Sequence, residues 1–274
     1  MGSYEIDKGN RKIIMKHDVG FFSNCTITLR ALMEESRQSK HFFSLDTSKQ
    51  WTYYKDNDED VFGKFFKVSD DKFEIPDEKF SESNDEDQFS NYGQINYHIV
   101  NPFVKKYFNL SDEVKEIEKK FIEKYKIELD KTICVLYRGN DKCKETNLPS
   151  YEDMDIKLNN LVEKYPNHKI LIQSDEIEFC DFMLKYKNSF VIDEVEKINK
   201  TKENAIQHII PIGNKVANAQ KFLSVMSIMS KCDVVLLNSG NVGMWVCLLR
   251  GSFKNVFQFL NPKKPHDFYW IYKN

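Results

Sequence analysis

Three polar turns in this sequence bring together residue types that could handle a phosphorylated ligand. They are Arg138-Gly139-Asn140-Asp141-Lys142, Ser174-Asp175-Glu176 and Asn238-Ser239-Gly240-Asn241. Each follows a short apolar run. A guanidinium such as that of Arg138 can give two parallel hydrogen bonds to a pair of phosphate oxygens. A carboxylate such as Asp175 suits N–H and O–H donors on a base or a ribose. Ser239 and Gly240, at the start of an expected helix, would offer a hydroxyl and unpaired backbone N–H groups to a further phosphate oxygen. For Arg138 the competing reading is a strand-end ion pair with Asp141.

The elements that must position these turns alternate regularly. Runs at 133–137, 169–173, 189–192 and 233–237 have strand length, and the first is apolar on both faces, as in a buried parallel sheet. Between and after them, helical spacing appears near 151–165, 177–187, 217–231 and 244–249, with Met154, Ile156, Leu158, Leu161 and Val162 as apolar positions of the first. Strands alternating with helices of this length imply an α/β chain with a parallel sheet of Rossmann type. In such sheets all strands end on one edge, where ligands gather. The three turns therefore belong to one rim.

The first half is less regular. Residues 12–15 read as a strand, 18–24 as a turn containing Gly20, and the run from Ile27 to Leu32 as a helix with Ser23 or Asn24 as its N-cap. A second strand is expected around 42–45. The aromatic residues Trp51, Tyr53, Tyr54, Phe62, Phe65 and Phe66 have the size to pack a small core, and an exposed one could stack on a sugar ring. Asp56-Asn57-Asp58 reads as a solvated loop, and the acidic stretch 70–96, centred on 82–87, as a loop or lid. A helix at 111–125 then leads into the central strand. His208, among aliphatic residues, is either a core histidine or a cleft residue.

Composition narrows the class. The 274 residues are long enough for one large or two small α/β units, with 41% hydrophobic and 30% charged residues. A formal net charge of -2 argues against a general nucleic-acid binder. No apolar stretch has the length of a membrane span, and no secretory pattern opens the chain. The six cysteines are dispersed without a Cys-x-x-Cys pair, which suggests buried thiols in a reducing, cytoplasmic setting and no zinc framework. No Gly-x-Gly-x-x-Gly opens the first unit and no Walker A sequence is present, so neither a dinucleotide site nor a P-loop ATPase is supported. The same lack of a Gly-rich first loop weighs against a Rossmann-type methyltransferase.

The set as a whole resembles the metal-independent fucosyltransferase superfamily, which includes α-1,6-fucosyltransferases, nodulation fucosyltransferases and protein O-fucosyltransferases. Tyr137-Arg138-Gly139-Asn140-Asp141-Lys142 is similar to its His-x-Arg-Arg-Thr-Asp-Lys motif, with Gly139 in place of the second arginine. Ser174-Asp175 resembles its Thr-Asp or Ser-Asp pair, Ser239-Gly240-Asn241 its Ser-Ser-x stretch, and Gly20-Phe21-Phe22-Ser23-Asn24 its Gly-x-Phe-x-Asn turn.

The resemblance implies a GT-B-like fold with two Rossmann-like domains facing a cleft. The smaller, acceptor-side domain would span 1–125, and the nucleotide-sugar-binding domain 126–274, with a C-terminal tail around 265–270 folding back over the first. It further implies an inverting transferase using GDP-fucose or another nucleotide sugar, a glycan acceptor, and neither metal nor cofactor. Arg138 would hold the β-phosphate and Asp18 is the candidate base. Phe22, Asn24, Asp175, His208, Ser239, Gly240 and Asn241 would contact the donor. The alternative is a non-catalytic nucleotide- or glycan-binding module of the same fold.

Overall fold

The structure is a computed structural model and describes residues 3–76, 88–201, 208, 211 and 213–260, together with the backbone of 269–272. The expected centre of the acidic loop, 82–87, and residues 265–268 of the tail lie outside the described residues.

In the first half, β1 (Tyr4–Asp7) and β2 (Lys12–Met15) pair antiparallel. Helix α1 (Phe21–Ser39) then returns the chain to β3 (Ser44–Asp46), which lies parallel to β2. A short helix α2 (Phe62–Phe65), β4 (Phe66–Lys67), α3 (Tyr97–Tyr107) and β5 (Asn109–Leu110) follow, with β4 and β5 antiparallel. Helix α4 (Asp112–Tyr125) leaves this half. Ser111 caps it by accepting a hydrogen bond from the Val114 N–H at 3.3 Å, and Asp112 and Glu113 lie against the positive end of its dipole.

The second half runs β6 (Thr132–Tyr137), α5 (Tyr151–Lys164), β7 (Lys169–Ser174), α6 (Ile177–Met183), β8 (Ser189–Val191), α7 (Lys215–Lys231), β9 (Val234–Asn238), α8 (Asn241–Arg250), β10 (Val256–Leu260) and β11 (Tyr269–Tyr272). The sheet order is β11-β10-β9-β6-β7-β8, parallel throughout except for β11. The chain winds outward from β6 through β7 to β8, then crosses back to β9 and β10. The switch point therefore falls between β6 and β9, where such sheets open a crevice at their strand ends.

Alternating residues of this sheet feed two apolar clusters. Ile133, Val135, Ile170, Ile172, Val234 and Leu236 face Met154, Leu158, Leu161 and Phe179 of α5 and α6. Cys134, Leu136, Leu171, Val235 and Leu237 face the other way, into a cluster that includes Leu223 and Ile228 of α7 and Trp245 of α8 and continues into Phe21, Trp51, Phe65 and Tyr107 of the first half. The two halves thus share one core. Among the described residues, no helix is long and apolar enough to cross a membrane.

The structure departs from the sequence reading in several places. Helix α1 starts at Phe21 with Gly20 as its N-cap, so Ser23 and Asn24 lie inside the helix. Residues 56–58 are a loop with Asn57 and Asp58 exposed, but the Asp56 carboxylate is engaged: it accepts from the backbone N–H groups of Gly213 (2.6 Å), Lys215 (3.1 Å) and Val216 (3.4 Å) at the start of α7. Ile156 is 63% exposed, on the outer face of α5. Five cysteines are buried as expected, but Cys143 is exposed. In the acidic stretch, Phe89 and Tyr92 are buried, so its C-terminal end is packed structure. Tyr269 and Trp270, the described end of the tail expected to fold over the first half, begin β11, the antiparallel edge of the large sheet.

Candidate functional site

The end of β6 is fixed before any side chain is considered. Asn238, ending β9, accepts from the Arg138 backbone N–H at 2.9 Å and donates to its carbonyl at 3.0 Å. The next residue, Gly139, donates its N–H to Asp175 at 2.8 Å. A Cβ at Gly139 would overlap the Glu176 carboxylate, which leaves no room there for the second arginine of the resembled motif. Asn140 takes a φ of 41°, a left-handed conformation that Asn tolerates better than most residues. This turn sends Arg138 toward the first half. Its guanidinium is 16% exposed, paired with Asp141 at 2.8 Å and in close contact with Asp175. The strand-end ion pair with Asp141 is therefore present.

Opposite lies the turn before α1. Asn24, fully buried, braces it from inside: its Oδ1 accepts from Val19 N–H at 2.9 Å, and its Nδ2 donates to Asp18 at 2.9 Å and to the Val19 carbonyl at 3.1 Å. The other Asp18 oxygen accepts from the hydroxyl and the N–H of Thr52. The Phe21 N–H donates to the Tyr54 hydroxyl at 3.1 Å. Burial pushes the Tyr54 phenol up to about 12, with that N–H bond and nearby Arg138 acting in the opposite sense.

Between the two turns is a cavity of about 520 Å³. Its wall includes Asp18, Phe22 and Tyr54 from the first half, Arg138 and Asp175 at the strand ends, Phe222 and Met226 of α7, and Asn241 at the start of α8. Of the residues singled out from sequence, Arg138, Asp18, Phe22, Asp175 and Asn241 share this wall. Phe22 stacks on Trp245 at 5.7 Å, and the Asn241 amide donates to Ser23 Oγ at 2.8 Å, so these two also join the halves.

The others are elsewhere. Asn24 supports the turn from behind. Ser239, fully buried, donates to the Phe259 carbonyl at 3.1 Å and accepts from Gln258 at 2.9 Å, which ties it to β10. The Gly240 N–H donates to the Tyr92 hydroxyl at 2.8 Å, and φ of 149° at this position requires glycine. His208 is exposed, its ring 5.0 Å from that of Tyr53, which itself lines the cavity.

Sequence reasoning gave no role to Lys142, Glu145 and Gln88, all of which line the cavity. Lys142 is buried and donates to Glu145 at 2.7 Å and to Gln88 Oε1 at 3.1 Å. The same Gln88 oxygen accepts from the Asn241 N–H at 3.2 Å and its side-chain amide at 3.1 Å, while Gln88 Nε2 donates to Glu145 at 3.0 Å. The available signal for Lys142 was its place at the end of the Arg138–Lys142 turn; Glu145 and Gln88 left none. Among the described residues the wall carries five carboxylates (Asp18, Asp141, Glu145, Asp175, Glu196) against two cations, Arg138 and Lys142. Among the same residues no group of three or more His, Cys, Asp or Glu side chains is arranged to hold a metal ion.

Solved structures share this architecture over nearly the whole chain. NodZ α-1,6-fucosyltransferase soaked with GDP-fucose matches with a TM-score of 0.57 and 11% identity, covering 97% of this chain and 100% of that one. Fucosyltransferase NodZ from Bradyrhizobium, in selenomethionine form, matches at 0.58 and 12%, covering 97% and 99%. NodZ co-crystallized with GDP matches at 0.57 and 12%, covering 96% and 98%. The chain has the NodZ fold. No protein-family model matches it, and no curated protein matches it in sequence. At such identity the likeness speaks for the backbone architecture alone.

Proposed function

We propose that this protein is an inverting glycosyltransferase that moves a sugar, L-fucose from GDP-fucose in the leading version, to a glycan hydroxyl without a metal ion. The observation that supports this most is the position of Arg138, at the end of the central strand, beside the switch point and on the wall of a cavity shared by both halves. The fold in common with NodZ, crystallised with GDP-fucose and with GDP, adds to it.

In such a transfer, negative charge builds on the departing diphosphate. Arg138 would meet that charge with an N–H pair already oriented by Asp141 and Asp175, and Lys142 would add a second cation nearby. Because these donors are held before the reaction, little reorganisation accompanies charge development. Asp18 is the candidate acceptor of the hydroxyl proton. Both its oxygens already accept hydrogen bonds, as do both oxygens of Glu145 on the same wall, so either would have to give up a partner to take the proton. Phe22, Asp175 and Asn241 would line the donor, and the cytoplasm is the setting proposed for the reaction.

A second reading follows from the excess of carboxylates in the wall, which suits a hydroxyl-rich ligand better than a diphosphate. It is a non-catalytic glycan-binding module. A panel of GDP- and UDP-sugars, read by melting temperature and by release of nucleoside diphosphate, separates the two. The transferase reading expects one nucleotide sugar to raise the melting temperature and to be turned over when an acceptor glycan is supplied. Stabilisation by glycans with no response to any nucleotide sugar refutes it in favour of the module.

A further inference from the structure

We infer that Glu176, which does not line the cavity, is a positioning residue for Arg138; the inference rests on the transferase reading above. Glu176 is 1% exposed, the second residue beyond the end of β7. One of its oxygens accepts from the Asn140 N–H at 2.6 Å, and the other from the hydroxyl of Tyr151, the first residue of α5. Its own N–H donates to Ser174 Oγ at 3.0 Å, and the backbone on either side pairs with Ile198. The carboxylate is therefore held at both oxygens, and the backbone that carries it is anchored as well.

Asn140 belongs to the turn after β6. The Glu176 carboxylate fills the space a side chain at Gly139 would need, and it holds the N–H of Asn140, whose φ is 41°. Asn140 in turn donates to the Asp175 carbonyl at 3.0 Å and accepts from the Thr201 N–H at 2.8 Å. Gly139 and Asn140 are the two residues between Arg138 and its partner Asp141. Their path decides whether the guanidinium can meet Asp141 and Asp175 together. Two consecutive acidic residues thus act on the same arginine in different ways. Asp175 meets the guanidinium and the Gly139 N–H, and Glu176 holds the next N–H of the backbone that carries it.

The experiment measures GDP affinity by calorimetry, kcat and KM for GDP-fucose, and melting temperature. Glu176→Ala and Glu176→Gln are compared in the wild-type and Arg138→Ala backgrounds. A displacement of about 1 Å at a reacting group can cost on the order of 100-fold, so Glu176→Ala is expected to lower kcat by roughly 10- to 100-fold. Glu176→Gln should stay close to wild type, since its oxygen can accept from Asn140 while its amide donates to the Tyr151 oxygen. In the Arg138→Ala background, Glu176→Ala should cost little more.

Wild-type kcat in Glu176→Ala overturns the inference. So does an equal fold-loss in both backgrounds, the signature of general destabilisation. If Glu176→Ala does not fold, Gly139→Ala enters the same contact from the other side and is read by the same coupling to Arg138. A wild-type protein that neither binds GDP nor consumes a nucleotide sugar ends the transferase reading and this inference with it. Activity that depends on Arg138 but not on Glu176 ends this inference alone.

Discussion

Replacing Arg138 by alanine or by lysine separates what this residue does for the fold from what it does for the ligand. In the wild type the guanidinium, 16% exposed, faces Asp175 at 7% and Asp141 at 25% exposure. Removing one partner of a buried ion pair costs about 3–5 kcal/mol, chiefly because a charge is left without compensation. Asp141 can recover water, so the cost falls mainly on Asp175, and about 2–3 kcal/mol is expected for Arg138→Ala. At about 2–4 °C per kcal/mol for chains near this size, the melting temperature should fall by roughly 5–10 °C. Loss of one donor to a developing oxyanion costs on the order of 10²–10³ in turnover, so GDP release from GDP-fucose should drop by that factor. Lysine keeps the charge, and its stability should stay within about 1 kcal/mol of wild type. Its ammonium cannot serve two carboxylates and a diphosphate with paired N–H groups, and turnover should still fall by about 10-fold or more. Near-normal GDP release by Arg138→Ala, or full activity in Arg138→Lys, would refute the assignment.

Asp56→Ala removes the acceptor of three N–H groups at the start of α7 and should cost about 0.5–2 kcal/mol, read as a lowered denaturant midpoint; Asp56→Asn should recover most of it. A thiol reagent should modify one cysteine, Cys143, in the folded protein and all six after denaturation, as counted by mass spectrometry. Burial raises Cys180 to about 11 and Cys247 to about 12, as it raises Tyr54, so the folded state keeps protons that the unfolded state gives up. Their contribution is complete below about pH 8.5 and is lost as pH rises toward the folded values, at about 1.4 kcal/mol per pH unit for each group once its unfolded form has ionised. Urea midpoints that stay level from about pH 8 to about pH 10.5 would contradict this.

The large sheet was legible because burial on both faces leaves a plain mark. Thr132–Tyr137 is buried at every position, and Val234–Asn238 likewise, so their sequences read as unbroken apolar runs. Helices α4, α5, α7 and α8 announce themselves by spacing and, in two cases, by a serine cap. β1, α3 and β10 gave weaker signals. Tyr4–Asp7 is an edge strand with partly exposed side chains, α3 contains Pro102, and β10 was obscured by the neutral amide of Gln258. That amide is buried because it joins the Ser90 carbonyl, the Tyr92 N–H and Ser239 Oγ at 2.8–3.0 Å, a role visible only once the chain is folded.

The site divides along a similar line. Arg138 and Asp175 could be placed on one rim from strand length and turn chemistry, because a parallel sheet leaves few other positions for them. Which atom of the turn after β9 faces the cavity could not be read in this way. Ser239 and Asn241 are both small polar residues at a helix start, and what separates them is a partner far away in sequence. β10 binds the Ser239 hydroxyl, whereas α1 and Gln88 meet the Asn241 amide. Asn241 and Phe22 are also where the shared core reaches the cavity, through Ser23 and Trp245. A rigid-body opening of the halves would have to expose the apolar contacts between α1 and α8, at about 25 cal/mol for each Å² returned to water. Moving the Gln88 side chain breaks its hydrogen bonds with Lys142 and Asn241, which a phosphate oxygen could replace, and its donation to Glu145, which water could replace. A ligand is therefore admitted at lower cost by rearranging side chains on the cavity wall than by parting the halves.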